Sequence, residues 1–396
     1  MSGVREFRRQ DIAEVAALWL KAFRRRDGPA SKPLQDYFEE LFFGGPWRDE
    51  SLPSLVYEKR GRGIVGFIGV LPRAMMFGKR PIKVAVATQL LVDRDAYAAA
   101  QLMRKFLSGK QDLSLSDGAN ENSERLWQAA GGSVALLYGL DWIRVLRPSQ
   151  YVMTRLKRRD RLMPLAKVLW PFCQAADAAV VRSRLGRYWL PEVADTVAEE
   201  DPADETLLWC IRHLSGDRAL QPEYDLDSFR WLLRKASEKQ MHGALRKGVV
   251  RDTNGEIAGW YLYYLKKGDI GQVLQLGGKP KAIRKVLDRL FYQAWRQGAV
   301  AISGELEPRF VRELAASRCR FGQSGYSVLV QARNRDLLHA IFRGDAFLSR
   351  LEGEWWARFS DQEWSLEGPA SQDSQTLRTQ ARIFEPDVCR SSFGSK

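Results

Sequence analysis

Hydrophobic and polar positions in this chain set out the same series of elements twice. Ser54–Lys59 alternates into the polar turn Arg60–Gly63 and returns as Ile64–Val70, the period-two pattern of a β-hairpin. Lys247–Asp252 does the same through Thr253-Asn254-Gly255-Glu256, returning as Ile257–Tyr264, and Gly66 of the first hairpin matches Gly259 of the second. A further strand follows each hairpin, Val84–Val92 and Gly271–Leu276. Amphipathic helices come next, Ala98–Leu107 and Lys281–Gln297; in the second, Ile283, Val286, Leu287, Leu290 and Phe291 recur at helical spacing. Strand and helix then repeat, as Leu113–Ser116 into Glu121–Ala130 and as Ala299–Ser303 into Arg309–Ser317. Each copy closes on more strand, Ser133–Val145 and Ser327–Ala332. An Arg5-Glu6-Phe7 strand and an Asp11–Arg24 helix, with Asp11 as its N-cap, open the first copy. A Thr206–His213 strand and a Tyr224–Ala236 helix are expected to open the second.

This order surrounds one distinctive run, Leu113–Gly132 (LSLSDGANENSERLWQAAGG), in which a strand leads into Asn120-x-x-Ser123-x-x-Leu126-Trp127 and ends on Gly131-Gly132. The run resembles the N-x-x-A-x-x-L-Y-x-x-x-G-F element of the GCN5-related N-acetyltransferase (GNAT) superfamily, and the likeness extends over roughly 4–147 and 204–335. The resemblance implies an α/β fold class: two mixed-sheet GNAT-like (acyl-CoA N-acyltransferase) domains in tandem. The expected organisation is 1–148 for the first domain, 149–203 for a basic helical linker, 204–366 for the second domain and 367–396 for a polar, flexible tail. The aromatic-rich Leu351–Phe359 is expected to pack on the second domain.

The same resemblance implies an acyl-CoA cosubstrate, acetyl-CoA or another, and a primary-amine acceptor. Leu90, Leu91 and Val92 are then the strand edge that receives the pantetheine arm. Ala98, Ala99, Ala100 and Gln101, at a helix start, take the pyrophosphate, although this loop has alanines where the family has glycines. Asn120 matches the family asparagine and is equally an N-cap. In the second copy the corresponding loop is Gln275–Lys281, whose glycines serve either phosphate or a turn, while Pro308 and Ala315 stand opposite Asn120 and Trp127. Trp127 replaces the family's proton-donating tyrosine, leaving Tyr97 and Tyr138 as substitutes. Asp117 and Asp93, at strand ends, are the candidate bases, because burial raises a carboxylate towards neutrality. Glu305 and Glu307 occupy the analogous rim of the second copy.

Composition narrows the setting. The 396 residues are 45% apolar and 11% aromatic, enough for more than one core. Four scattered cysteines and three dispersed histidines argue against a metal centre or disulfide framework, and the charged N-terminus against a secretory signal, so a cytoplasmic location is expected. Leu162–Val181 is interrupted by Pro164, Lys167, Pro171 and Asp177 and is not a transmembrane span. The net charge of +14 suits anionic partners; nucleic acid is open but not favoured, since no recognition motif accompanies it. The basic linker Ser149–Val197 reads as a helix packed across the two domains, with peripheral membrane contact through 149–190 the alternative. Two further functions stay open: a catalytically degenerate tandem binding protein, and an aminoacyl-tRNA-dependent aminoacyl transferase.

Overall fold

A computed structural model describes residues 2–157, 163–183, 196–357 and 359. The first half contains β1 (Gly3–Glu6), α1 (Ile12–Trp19), α2 (Lys32–Phe43), β2 (Leu55–Lys59), β3 (Gly63–Phe77), β4 (Arg80–Val92), α3 (Ala96–Leu107), β5 (Leu113–Ala119), α4 (Glu121–Ala129), β6 (Ser133–Val134), β7 (Leu140–Val145) and α5 (Pro148–Lys157). After α6 (Met163–Arg182) come β8 (Val197–Glu200), α7 (Asp204–Leu214), β9 (Leu220–Pro222), α8 (Leu226–Glu238), β10 (Ala244–Arg251), β11 (Ile257–Leu265), β12 (Ile270–Gly278), α9 (Ile283–Arg296), β13 (Ala301–Glu305), α10 (Val311–Ala316), β14 (Arg320–Gln323), β15 (Ser327–Ala332) and α11 (Arg335–Phe342).

The strands form two mixed sheets, ordered β1-β2-β3-β4-β5-β15-β6, with β9 on β3, and β8-β10-β11-β12-β13-β7-β14. The two orders correspond strand for strand, but each half completes the sheet of the other. β15 lies antiparallel between β5 and β6 of the first sheet, and β7 lies antiparallel between β13 and β14 of the second. The strands expected to close each copy are therefore exchanged. Each takes its helix along: α11 places Leu337 and Ile341 with Leu113, Leu115 and Val330, while α5 places Tyr151 on the cluster of Ile270, Val300 and Ala301.

Local chemistry accounts for most of the elements. At Gly66 a Cβ would press on Leu102 of α3, and at Gly259 on the Gly277 carbonyl of β12 and then on Val286 of α9. Each helix thus lies close against the central hairpin of its half. Gly132 fits because the Trp127 ring occupies the space of a side chain there.

Several expectations are corrected. Thr206–His213 lies within helix α7, because Leu207, Leu208, Ile211 and Leu214 fall on one helical face in a core with Phe229 and Trp260; the opening strand is the short, largely exposed β8. Asp11 does not cap its helix: its carboxylate accepts the Arg8 N–H and the Arg5 guanidinium. Pro171 lies inside α6 and does not end it. Leu351 and Trp356 pack on the second half, but Phe359 packs on Trp19 and Tyr37 of the first. Positions 158–161 of the basic run, Arg184, Arg187 and the tail from 367 lie outside the described residues.

Candidate functional site

The first sheet splits. β4 and β5 pair in parallel from Val84↔Leu113 to Val86↔Leu115 and no further, whereas β4 stays paired with β3 to Val92↔Gly66. Between Thr88 and Leu91 the β3–β4 register shifts, and Gln89 takes a left-handed φ of 51°. This bulge turns β4 away from β5, leaving Leu90–Val92 as a strand edge beside the opening. Leu91 is buried with Val56 and Phe67, while Leu90 and Val92 pack towards α3. The Gln89 amide donates to the Tyr37 hydroxyl, so α2 holds the bulge in place.

The helix start near this split is partly used by the protein itself. α3 begins at Ala96, so Ala98 and Ala99 lie in its first turn and Ala100 and Gln101 follow it; the Ala99 N–H donates to the Asp95 carbonyl, and the Asp95 carboxylate accepts the Ala98 N–H at 3.0 Å and pairs with Lys59 at 3.1 Å. The Ala98 N–H, in first place, and Lys59 hold the Asp95 pKa below its usual value. An anion entering here meets a fixed carboxylate. Asn120 caps α4, its side chain accepting the Ser123 N–H at 3.0 Å. Asp93 sits outside the split, paired with Lys21 at 2.9 Å and Arg62 at 3.2 Å, and the Lys21 hydrogen bond leads in lowering its pKa. A carboxylate so paired is a weak base. Trp127 is buried and donates its indole N–H to the Val330 carbonyl at 3.2 Å, tying α4 to the exchanged strand. Tyr97 is exposed. Tyr138 is buried, and its hydroxyl donates to the Ala346 carbonyl and accepts the Ala346 N–H.

The second sheet splits in the same register. β12 and β13 pair from Ile270↔Ala301 to Gln272↔Ser303, and a shift at Leu262/Tyr263 repeats the bulge. Its glycines answer to packing. Gly277 makes room for the Trp260 ring and Gly278 for the Ala258 carbonyl, both within the β11–β12 ladder. The start of α9, preceded by a short turn at Pro280–Ala282, has no side-chain cap.

Between the splits runs the segment following α11. Arg350 reaches Gln272 at 3.0 Å and Asp141 at 2.8 Å, and Glu352 accepts from Gln275 at 2.8 Å and from Tyr224. Further on, Glu354 accepts from Ser116 at 3.3 Å, the Asp117 carboxylate accepts the Glu354 and Trp355 N–H groups at 2.7 and 3.4 Å, and Tyr37 donates to the Ala357 carbonyl at 2.9 Å. Arg73 donates to the Glu352 carbonyl at 3.1 Å. The strap carries carboxylates from the second split to the first.

Glu305 joins this seam from β13. It lies as far beyond its last paired residue, Ser303, as Asp117 lies beyond Leu115, so the two carboxylates are counterparts in the two halves. The residue is partly exposed, yet its Oε2 is buried and has no hydrogen-bond partner among the described residues. Burial, then the neighbouring Asp117, raises the Glu305 pKa well above 4.5, with Asp141 and Glu352 adding to the shift and Arg350 opposing it. Burial likewise raises Glu352. The place of Glu305 on the rim of the second copy follows from the sequence. Its meeting with Asp117 depends on how the halves face each other, which no local pattern records. Among the described residues, no group of three or more His, Cys, Asp or Glu is arranged to hold a metal ion.

No protein-family model matches the chain, and no curated protein matches it in sequence. Solved structures do match. A conserved protein of unknown function from Enterococcus faecalis V583, described as a probable N-acyltransferase, superposes with a TM-score of 0.55 at 9% identity, over 84% of this chain and 73% of that one. A GCN5-related N-acetyltransferase from Anabaena variabilis gives 0.53 at 11% identity, over 85% and 74%. The fold is GNAT-like. Both GNAT-like sheets carry the bulge and split, and the structural likeness spans the two of them.

Proposed function

We propose that the protein is an acyl-CoA-dependent N-acyltransferase, transferring an acyl group, acetyl in the first instance, to a primary amine. The observation that carries this reading is the end of β4–β5 pairing at Val86↔Leu115 while β4 runs on to Val92. Pantetheine is a chain of amides, and an unpaired strand edge offers it backbone donors and acceptors at β spacing. In this reading Leu90–Val92 receive pantetheine, Ala98–Gln101 near the start of α3 receive the pyrophosphate, and Asn120 flanks the cofactor while capping α4. Asp117 faces the acceptor and Asp93 stays at the rim. We also place the protein in the cytoplasm, which the unpaired Cys173, Cys210 and Cys319 support, and no helix among the described residues is long and apolar enough to cross a membrane.

Calorimetric titration with acetyl-CoA tests the reading. Saturable binding of one equivalent per chain is expected, and no heat at millimolar ligand rejects it. One observation favours a second reading, a non-catalytic binding protein: Asp95 already occupies an N–H that a phosphate would use. Acyl-CoA that binds and is never consumed with any amine selects that reading.

A further inference from the structure

We infer that Glu305, contributed by the second half, is the proton acceptor for a cationic amine whose acyl donor lies in the first split; this rests on the acyltransferase reading above. The seam between the halves gathers Asp117 from β5, Asp141 from β7, Glu305 from β13, and Glu352 and Glu354 from the strap. The cations there are engaged. Arg350 is held by Gln272 and Asp141, and Arg73 by the carbonyls of Pro72 and Glu352. A chain of net charge +14 has thus concentrated carboxylates at one interior place, beside the opening of β4 from β5.

The two counterpart carboxylates differ in the groups they meet. Asp117 accepts two backbone N–H groups, an environment that favours its ionised form. Glu305 keeps a buried oxygen with no donor, beside that fixed negative charge. Of such a pair, the carboxylate without donors is the one that holds its proton more tightly. An ammonium entering the seam supplies the missing donor to Oε2. The step balances: Glu305 carboxylate takes a proton from R–NH3+, the freed amine attacks the thioester carbonyl carbon, a C–N bond forms, the C–S bond breaks, coenzyme A leaves as thiolate, and the second proton shed by the nitrogen passes through solvent to that thiolate. Glu305 then returns its proton to solvent.

Two measurements on the full chain test the assignment. In 13C-carboxyl NMR, with the Glu305 signal identified by its loss in Glu305→Gln, the midpoint should lie above the ordinary carboxylate range, and Asp117→Asn should lower it. A Glu305 signal ionised throughout from pH ~6 to ~9 overturns the inference. In thiol-release assays with acetyl-CoA and spermidine, glucosamine or a peptide with a free N-terminus, Glu305→Gln should lower kcat about 100-fold and abolish the rising pH limb, with acetyl-CoA affinity unchanged. Wild-type kcat and pH profile in Glu305→Gln overturn the inference while leaving the acyltransferase reading intact. Failure of the wild-type chain to bind acetyl-CoA removes that reading instead.

Discussion

The two halves share a split sheet and differ in what surrounds it. In the first, the β4 bulge is held by Tyr37, the start of α3 is capped by Asp95, and α4 is locked to the exchanged strand by the Trp127 indole. In the second, the glycines before α9 are taken up by Trp260 and Ala258, and no side chain caps that helix. The halves also divide the carboxylates, with Asp117 tied to backbone N–H groups and Glu305 retaining an unpartnered oxygen. The two halves thus share their sheet geometry and differ in their side chains; in the proposed reading the first half offers the acyl-donor cleft and the second supplies the base.

The largest effect that would break this comparison lies in the exchange. Trp127 binds the first half to β15, and Trp142 on β7 donates to the Glu305 carbonyl at 3.1 Å and packs on Phe291. Each is about 1% exposed, so Trp127→Ala or Trp142→Ala should cost about 3–5 kcal/mol. Because the strands are reciprocal, either change should move a single urea transition reported from both halves. Two separate transitions, one of them unshifted, would contradict the exchange.

A smaller effect sharpens the difference between the helix starts. Asp95→Ala removes a cap, lowering stability by about 1 kcal/mol, and frees the Ala98 N–H, so acetyl-CoA should bind several-fold more tightly by calorimetry. Unchanged or weaker affinity would place the phosphates elsewhere.

The smallest effect concerns pH. Glu305 has a raised folded pKa, so the folded state holds its proton more tightly than the unfolded chain does. The stabilisation from that proton is complete below the unfolded value and is lost as pH rises through the folded pKa. Glu305→Gln should therefore leave stability nearly unchanged in acid and raise it relative to wild type in mild alkali, as read from urea midpoints. A Glu305→Gln chain less stable than wild type at alkaline pH would show that the ionised carboxylate is paired.

Much of this fold was legible along the chain, because its elements announce themselves locally. Alternating hairpins, the Asn254-Gly255 turn and the 3.6-residue period of α9 needed no partner to be recognised. The failures share a cause. β7 and β15 read correctly as strands, but the sheet each enters is decided by the packing of one half on the other. Thr206–His213 has an apolar run as short as a strand's, and its helical face shows only in the spacing of Leu207, Ile211 and Leu214. At the site, the edge at Leu90–Val92 came from the family resemblance and not from any local pattern. From Arg350 to Ala357 the strap bonds to partners 77 or more positions away, the meeting of Asp117 with Glu305 spans 188, and no spacing rule reaches that far.

The central claim, an acyl-donor site in the first split alone, is met most directly by hydrogen exchange on the full chain with and without acetyl-CoA. Slowed exchange in peptides covering 88–101, with 273–285 unchanged, is the predicted result. Protection confined to 273–285, or equal in both segments, would contradict it.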